Sequence, residues 1–211
     1  MEKETGRIEA FSDGIFAVAI TLLALDIGIK EYSGANNVNL WTKITERWPE
    51  YFSYFNSFAT VLLIWMGHNK IFKKLRTANH WIVLMNGLVL LIVVLFPYPT
   101  KTVGIFIGTA AENSAVAFYT SFTCLINVSM LMLNACILRQ KKLLLDPKKN
   151  VPLIKSMMGG QIAGVIAYGL ITVIAFYYSR VALFLTFCMW VFWALVTRDS
   201  DALDSKSNTQ I

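Results

Sequence analysis

Asp13 is the residue of this chain that most needs an explanation. It opens an almost wholly apolar run, Gly14-Ile15-Phe16-Ala17-Val18-Ala19-Ile20-Thr21-Leu22-Leu23-Ala24-Leu25. A charged side chain in a lipid-spanning helix costs about 2.5–3.5 kcal/mol at the helix centre and less toward the ends, so a carboxylate here must face protein or water. Such a group either hydrogen-bonds across helices or passes a proton. His68, within Trp65-Met66-Gly67-His68-Asn69-Lys70-Ile71-Phe72, has the same two options, and a lone histidine near a helix end reads first as a structural hydrogen-bonding group. Catalysis needs more parts. His68 and His80 stand apart, and no H-x-x-x-H, C-x-x-C, G-x-S-x-G or P-loop spacing occurs. The reading is therefore not an enzyme, with no catalytic residue, no fixed metal and no cofactor. Cys124, Cys136 and Cys188 read as small apolar core residues, not as a disulfide or metal framework.

The same run carries a stripe. Val18, Thr21, Leu22 and Leu25 follow the i, i+3, i+4, i+7 spacing of one helix face. Helix packing is the default meaning of such a pattern. Arg7, Phe11 and Gly14 extend the face at a period of 3.5, however, so symmetry-related copies could line a common axis. Thr21 sets one hydroxyl among apolar neighbours. That suits contact with a partly dehydrated ion and equally suits a backbone-bonded core threonine.

The elements that must position these residues follow from composition. With 56% hydrophobic and 15% charged residues among 211, the chain is an integral membrane protein, all-α and polytopic. A span needs about 20 apolar residues. Six are expected: Phe11 to Ile29, Tyr51 to Lys70, Trp81 to Tyr98, Ala115 to Leu138, Ile154 to Tyr178 and Val181 to Thr197, one membrane domain over residues 1–211. The first apolar stretch holds Asp13 and is too long for a signal sequence, so it is expected to be retained. Residues 199–211 form a polar tail, expected to be frayed.

The net charge of +6 does not indicate nucleic acid, because it sits in two loops. Lys70, Lys73, Lys74 and Arg76 precede the third span; Arg139, Lys141, Lys142, Lys148, Lys149 and Lys155 precede or open the fifth. The positive-inside rule puts both termini and both loops in the cytoplasm of a cell with the protein in its plasma membrane. The loops are also candidate contacts for anionic lipid. The outer loop Lys30 to Glu50 ends among Trp41, Trp48, Tyr51 and Tyr54, an interfacial aromatic belt. Pro97 and Pro99 are expected to end the third span, with a short outer segment from Thr102 to Glu112. Gly160-x-x-x-Gly164 in the fifth reads as a close helix contact inside the subunit.

Thr102-Val103-Gly104-Ile105-Phe106 is not a potassium filter of the TVGYG type. A full span precedes it in place of a short re-entrant helix, and Phe106 stands where the second glycine belongs. A different resemblance holds. Arg7-x-x-x-Phe11-Ser12-Asp13 resembles the signature of the transmembrane protein 175 family, and Ser57-Phe58, Trp65-x-x-His68-x-x-x-Phe72, Asn86 and Phe96-Pro97-Tyr98-Pro99-Thr100 match its later landmarks in order. One six-span unit is similar to the prokaryotic branch. The resemblance implies a homotetrameric, potassium-permeable, leak-like channel without a TVGYG filter, lined by the first helix of each subunit. It places pore constrictions on Val18, Leu22 and Leu25, a selectivity layer with permeant potassium on Thr21 beside Val18, and a polar network on Arg7, Ser12, Asp13 and His68. The implied partners are copies of the chain, the bilayer and monovalent cations. The rival reading is a small secondary transporter or proton-coupled carrier using Asp13 and His68. It would more often show internal repeats or broken helices, and neither is visible.

Overall fold

The computed structural model describes residues 5–25, 27 and 37–208, with 37–39 and 197–208 described as backbone. The described residues form eight α-helices: α1 (Gly6–Leu25), α2 (Asn37–Glu46), α3 (Trp48–Phe72), α4 (His80–Leu95), α5 (Pro97–Phe106), α6 (Glu112–Arg139), α7 (Pro147–Ala175) and α8 (Ser179–Asn208). Five segments are long and apolar enough to cross a membrane: α1, the run from α4 through α5, α6, α7, and Ser179–Val196 of α8. α3 is 25 residues long but less apolar, because Ser53, Asn56, Ser57, Thr60 and His68 punctuate it. All five are buried inside the bundle, while Phe55, Leu62 and Met66 face out. That inverted distribution is what a lipid solvent demands, since polar groups there must find partners within the protein.

Within the described residues the expected spans coincide with helical segments, the third running from α4 into α5, and four details differ. Pro97 and Pro99 do not end the apolar span, which runs from His80 to Phe106, but one helix closes at Leu95 and another opens at Pro97. Phe96 keeps helical dihedrals (φ −61°, ψ −30°), closing α4 and opening α5, and Thr100 N–H returns to the Phe96 carbonyl at 3.3 Å. Proline in the first turn of α5 loses only amide bonds that a helix start leaves unmade. Thr102 to Phe106, expected as an outer connection, is therefore helical. Residues 37–46 of the outer loop form α2. The α8 backbone stays helical through Asn208, where a frayed tail from Asp199 was expected; extending an existing helix costs far less than nucleating one. The far end of the first span, Gly28 and Ile29, and the loop 30–36 lie outside the described residues, as do 209–211.

α1 packs between α3 and α4, and α8 leans on α7 and α3. Gly160 and Gly164 of α7 serve the α7–α8 contact. A Cβ on Gly164 would sit 2.5 Å from the Trp193 ring and 3.1 Å from Asn127 Oδ1, and one on Gly160 would sit 3.0 Å from Val196. At one end of the bundle the two basic loops are tied together. Leu75 and Leu144 form an antiparallel bridge, with Arg76 N–H on the Leu143 carbonyl at 2.8 Å and Leu145 N–H on the Lys74 carbonyl at 2.9 Å. Cys188 is exposed on α8, against the expectation of a core position, because its helix turns that side away from α7 and α3.

Candidate pore face and its polar anchor

α1 has two faces. Ser12, Phe16, Ala19 and Leu23, at i, i+4, i+7 and i+11, are buried against the chain's own core. Arg7, Phe11, Gly14, Val18, Thr21, Leu22 and Leu25 all lie on the exposed side, with Val18 53% and Leu25 74% exposed. The stripe read from the sequence is thus the surface this subunit leaves uncovered. Ala10, Ala17 and Ala24 share that side, so small and large residues alternate along it.

Thr21 Oγ1 donates to the Val18 carbonyl at 2.8 Å. Its proton is therefore committed to the backbone, while the oxygen lone pairs stay exposed. A hydroxyl in that state is an acceptor, the form that can touch a cation. Of the two sequence readings for this threonine, it is backbone-bonded but not in the core.

The buried face is anchored by a three-helix chain of hydrogen bonds. Asn86 of α4 donates its Nδ2 to Ser12 Oγ at 3.0 Å, and Ser12 in turn donates to the Ile8 carbonyl at 2.8 Å. Asn86 Oδ1 faces His68 Nε2 of α3 at 2.6 Å. Because a carbonyl oxygen only accepts, His68 must carry a proton on Nε2. The imidazole is sandwiched by aromatic rings, stacked on Phe72 at 4.5 Å and tilted against Phe16 at 5.3 Å. Asp13 takes a separate partner, the indole N–H of Trp65 at 2.8 Å.

The expected network of Arg7, Ser12, Asp13 and His68 is therefore brought together only in part. Ser12 and His68 meet through Asn86, Asp13 pairs with Trp65, and Arg7 lies on the exposed face with no ion pair to Asp13. The reason is angular: six residues on a helix leave Arg7 and Asp13 about 120° apart. The linking roles of Asn86 and Trp65 were not read from the sequence. Their signal was available, since Asn86 is the one polar side chain between Trp81 and Leu95.

Further buried polar pairs lock α3 to its other neighbours. Ser57 meets Thr100 of α5 at 2.7 Å and Asn56 donates to Thr186 of α8 at 3.1 Å. Asn134 of α6 donates to Gln161 of α7 at 2.8 Å. At the end of the bundle opposite the basic loops, Glu112 accepts from Gly108 N–H at 2.8 Å and from the Ser179 hydroxyl at 2.7 Å, with the Arg180 guanidinium at 3.6 Å. Its carboxylate clasps the α5–α6 turn to the α7–α8 turn.

These features define a multi-pass helical membrane protein whose polar residues point inward and whose first helix is anchored on one side and bare on the other. Residues 7–97 match the family model described as the endosomal/lysosomal potassium channel TMEM175. A potassium channel of Streptomyces collinus is 32% identical over 177 residues, covering 82% of this chain and 83% of that protein. A potassium channel of Chamaesiphon minutus is 37% identical over 118 residues, 56% of this chain and 58% of that relative's length. The crystal structure of a lysosomal potassium-selective channel TMEM175 homolog from Chamaesiphon minutus superposes with a TM-score of 0.81 at 26% identity, covering 92% of this chain and 97% of that one. The chain belongs to the TMEM175 family, a family of ion channels and not of enzymes.

Proposed function

We propose that this chain is a potassium-permeable, leak-like cation channel of the plasma membrane, a homotetramer of six-helix subunits with α1 of each lining the pore. The observation that carries the reading is the bare face of α1. Its 20 residues are about 30 Å long, the thickness of the hydrocarbon core. The alternation of Ala10, Gly14, Ala17 and Ala24 with larger residues lets several such helices approach one another. Val18, Leu22 and Leu25 then form hydrophobic constrictions, and the outward lone pairs of Thr21 give the passing ion a weak polar contact. Potassium is the permeant species, with no resident metal. The relatives' names as potassium channels support the choice of ion.

The α3 helix supplies the sixth span. The basic loops meet at one end of the bundle through the Leu75–Leu144 bridge, which supports a common cytoplasmic side for both loops and both termini. The carrier reading is less favoured, since Asp13 and His68 are each committed to a different partner and share no bond.

Cysteines placed one at a time from position 16 to 25 test the assignment, with a membrane-permeant thiol reagent applied during single-channel recording under a potassium gradient. Unitary steps should be reduced by modification at 18, 21, 22 and 25 and unaffected at 16, 19 and 23. Modification at 16, 19 or 23 with silence at 18 and 25 would place another surface along the ion path.

A further inference from the structure

A groove of about 520 Å³ opens between the last turns of α6 and the first turns of α4. This lies within the roughly 300–1,000 Å³ range of ligand pockets. Its walls are apolar: Trp81 and Met85 from α4, Met132 and Cys136 from α6. Its mouth holds Gln140 and Arg139. The Gln140 side chain is already engaged, accepting from Asn79 Nδ2 and donating to Cys136 Sγ at 3.7 Å. Arg139 is exposed and pairs with no carboxylate among the described residues. The groove thus ends in a guanidinium whose donors are unspent.

Two further observations say what would fill it. α6 has 28 residues and is about 42 Å long, so Arg139 in its last turn reaches the headgroup layer, level with Trp81 in the first turn of α4. The Leu75–Leu144 bridge brings exposed Arg76 alongside Lys141 and Lys142, so the surface next to the groove mouth is basic from both loops. The nearest acidic side chain in sequence, Asp146, is occupied in capping α7 through Lys148 and Lys149 N–H. A parallel second copy of this chain would bring the same basic loops to that level and offer the groove no anion. An anion with apolar chains is complementary at both levels.

We propose that this groove binds an anionic phospholipid, its phosphate on the Arg139 fork and its first acyl carbons along Trp81, Met85 and Met132. Arginine matches a phosphate with two parallel N–H bonds, and basic pockets between membrane helices suit such headgroups. The proposal is independent of which residues line the pore.

The test uses the purified full chain in detergent, titrated with phosphatidylglycerol or phosphatidylcholine and read by native mass spectrometry and thermal melting. Phosphatidylglycerol should bind and raise the melting temperature, and phosphatidylcholine should do neither. Arg139→Gln should weaken phosphatidylglycerol binding about tenfold, the loss of a charge-assisted pair. Trp81→Ala should weaken it while leaving charge unchanged, and Lys148→Gln, away from the groove, should not. Equal losses in Arg139→Gln and Lys148→Gln would mean diffuse charge attraction and overturn the site. Equal stabilisation by inorganic phosphate would mean an ion site without a lipid. Inter-subunit cross-linking through Met132→Cys would put a neighbouring chain in the groove and equally defeat the proposal.

Discussion

Asn86→Leu is the substitution that most directly probes how α1 is held. Leucine fills a similar space but removes both bonds that Asn86 makes, to Ser12 at 3.0 Å and to His68 at 2.6 Å. The two partners suffer unequally. Ser12 keeps its bond to the Ile8 carbonyl, whereas the His68 Nε2 proton is left facing leucine in a site where His68 is 1% exposed. A stranded buried donor costs about 1–3 kcal/mol, while a single interhelical hydrogen bond in a membrane protein averages only about 0.6 kcal/mol. The stranded imidazole therefore dominates, and a loss of about 2 kcal/mol follows, or about 4–8 °C for a chain of this size. Ser12→Ala also strands a buried donor, Asn86 Nδ2, but keeps the Asn86 Oδ1 bond to His68, so it should cost about 1 kcal/mol, the low end of the same penalty. The assay is the temperature at which half of the purified protein leaves the folded peak in size-exclusion chromatography after heating. If Asn86→Leu melts within a degree of the parent, or Ser12→Ala is the more damaging, the Ser12–Asn86–His68 chain is not what secures α1.

Thr21→Val keeps shape and removes the lone pairs, so the reversal potential under mixed potassium and sodium should move toward lower discrimination; an unchanged value would make Thr21 a packing residue. Gly164→Ala should separate α7 from α8 and lower thermal stability by about 1–3 kcal/mol through overpacking against Trp193, whereas Gly159→Ala, with open space around it, should be neutral or slightly stabilising in the same melt. Glu112→Ala should cost about 1 kcal/mol, chiefly by stranding the buried Ser179 hydroxyl, since the exposed Gly108 N–H can turn to water. Hydrogen exchange should then rise at both turns it joins, and an unaltered exchange pattern would mean the clasp is idle.

What the chain determines by composition is its solvent. Long apolar runs broken by basic loops can only be helices across a bilayer, because each backbone N–H and C=O must be satisfied within its own segment. Periodicity then marked the α1 stripe, since residues at i, i+3, i+4 and i+7 share a face wherever the helix goes. Periodicity alone could not say whether that face is covered. Only the packing of Ser12, Phe16, Ala19 and Leu23 against α3 and α4 left Val18, Thr21, Leu22 and Leu25 outside. Partnerships were likewise a tertiary matter. Ser12, Asn86 and His68 stand 74 and 18 residues apart along the chain, and only three packed helices bring them within hydrogen-bond distance. Arg7 shows the converse: it lies close to Asp13 in sequence but on another side of the helix. The merging of two basic loops into one surface rests on the bridge between Leu75 and Leu144, a contact across 69 residues that no local pattern records, because its cause is where two helix ends happen to meet.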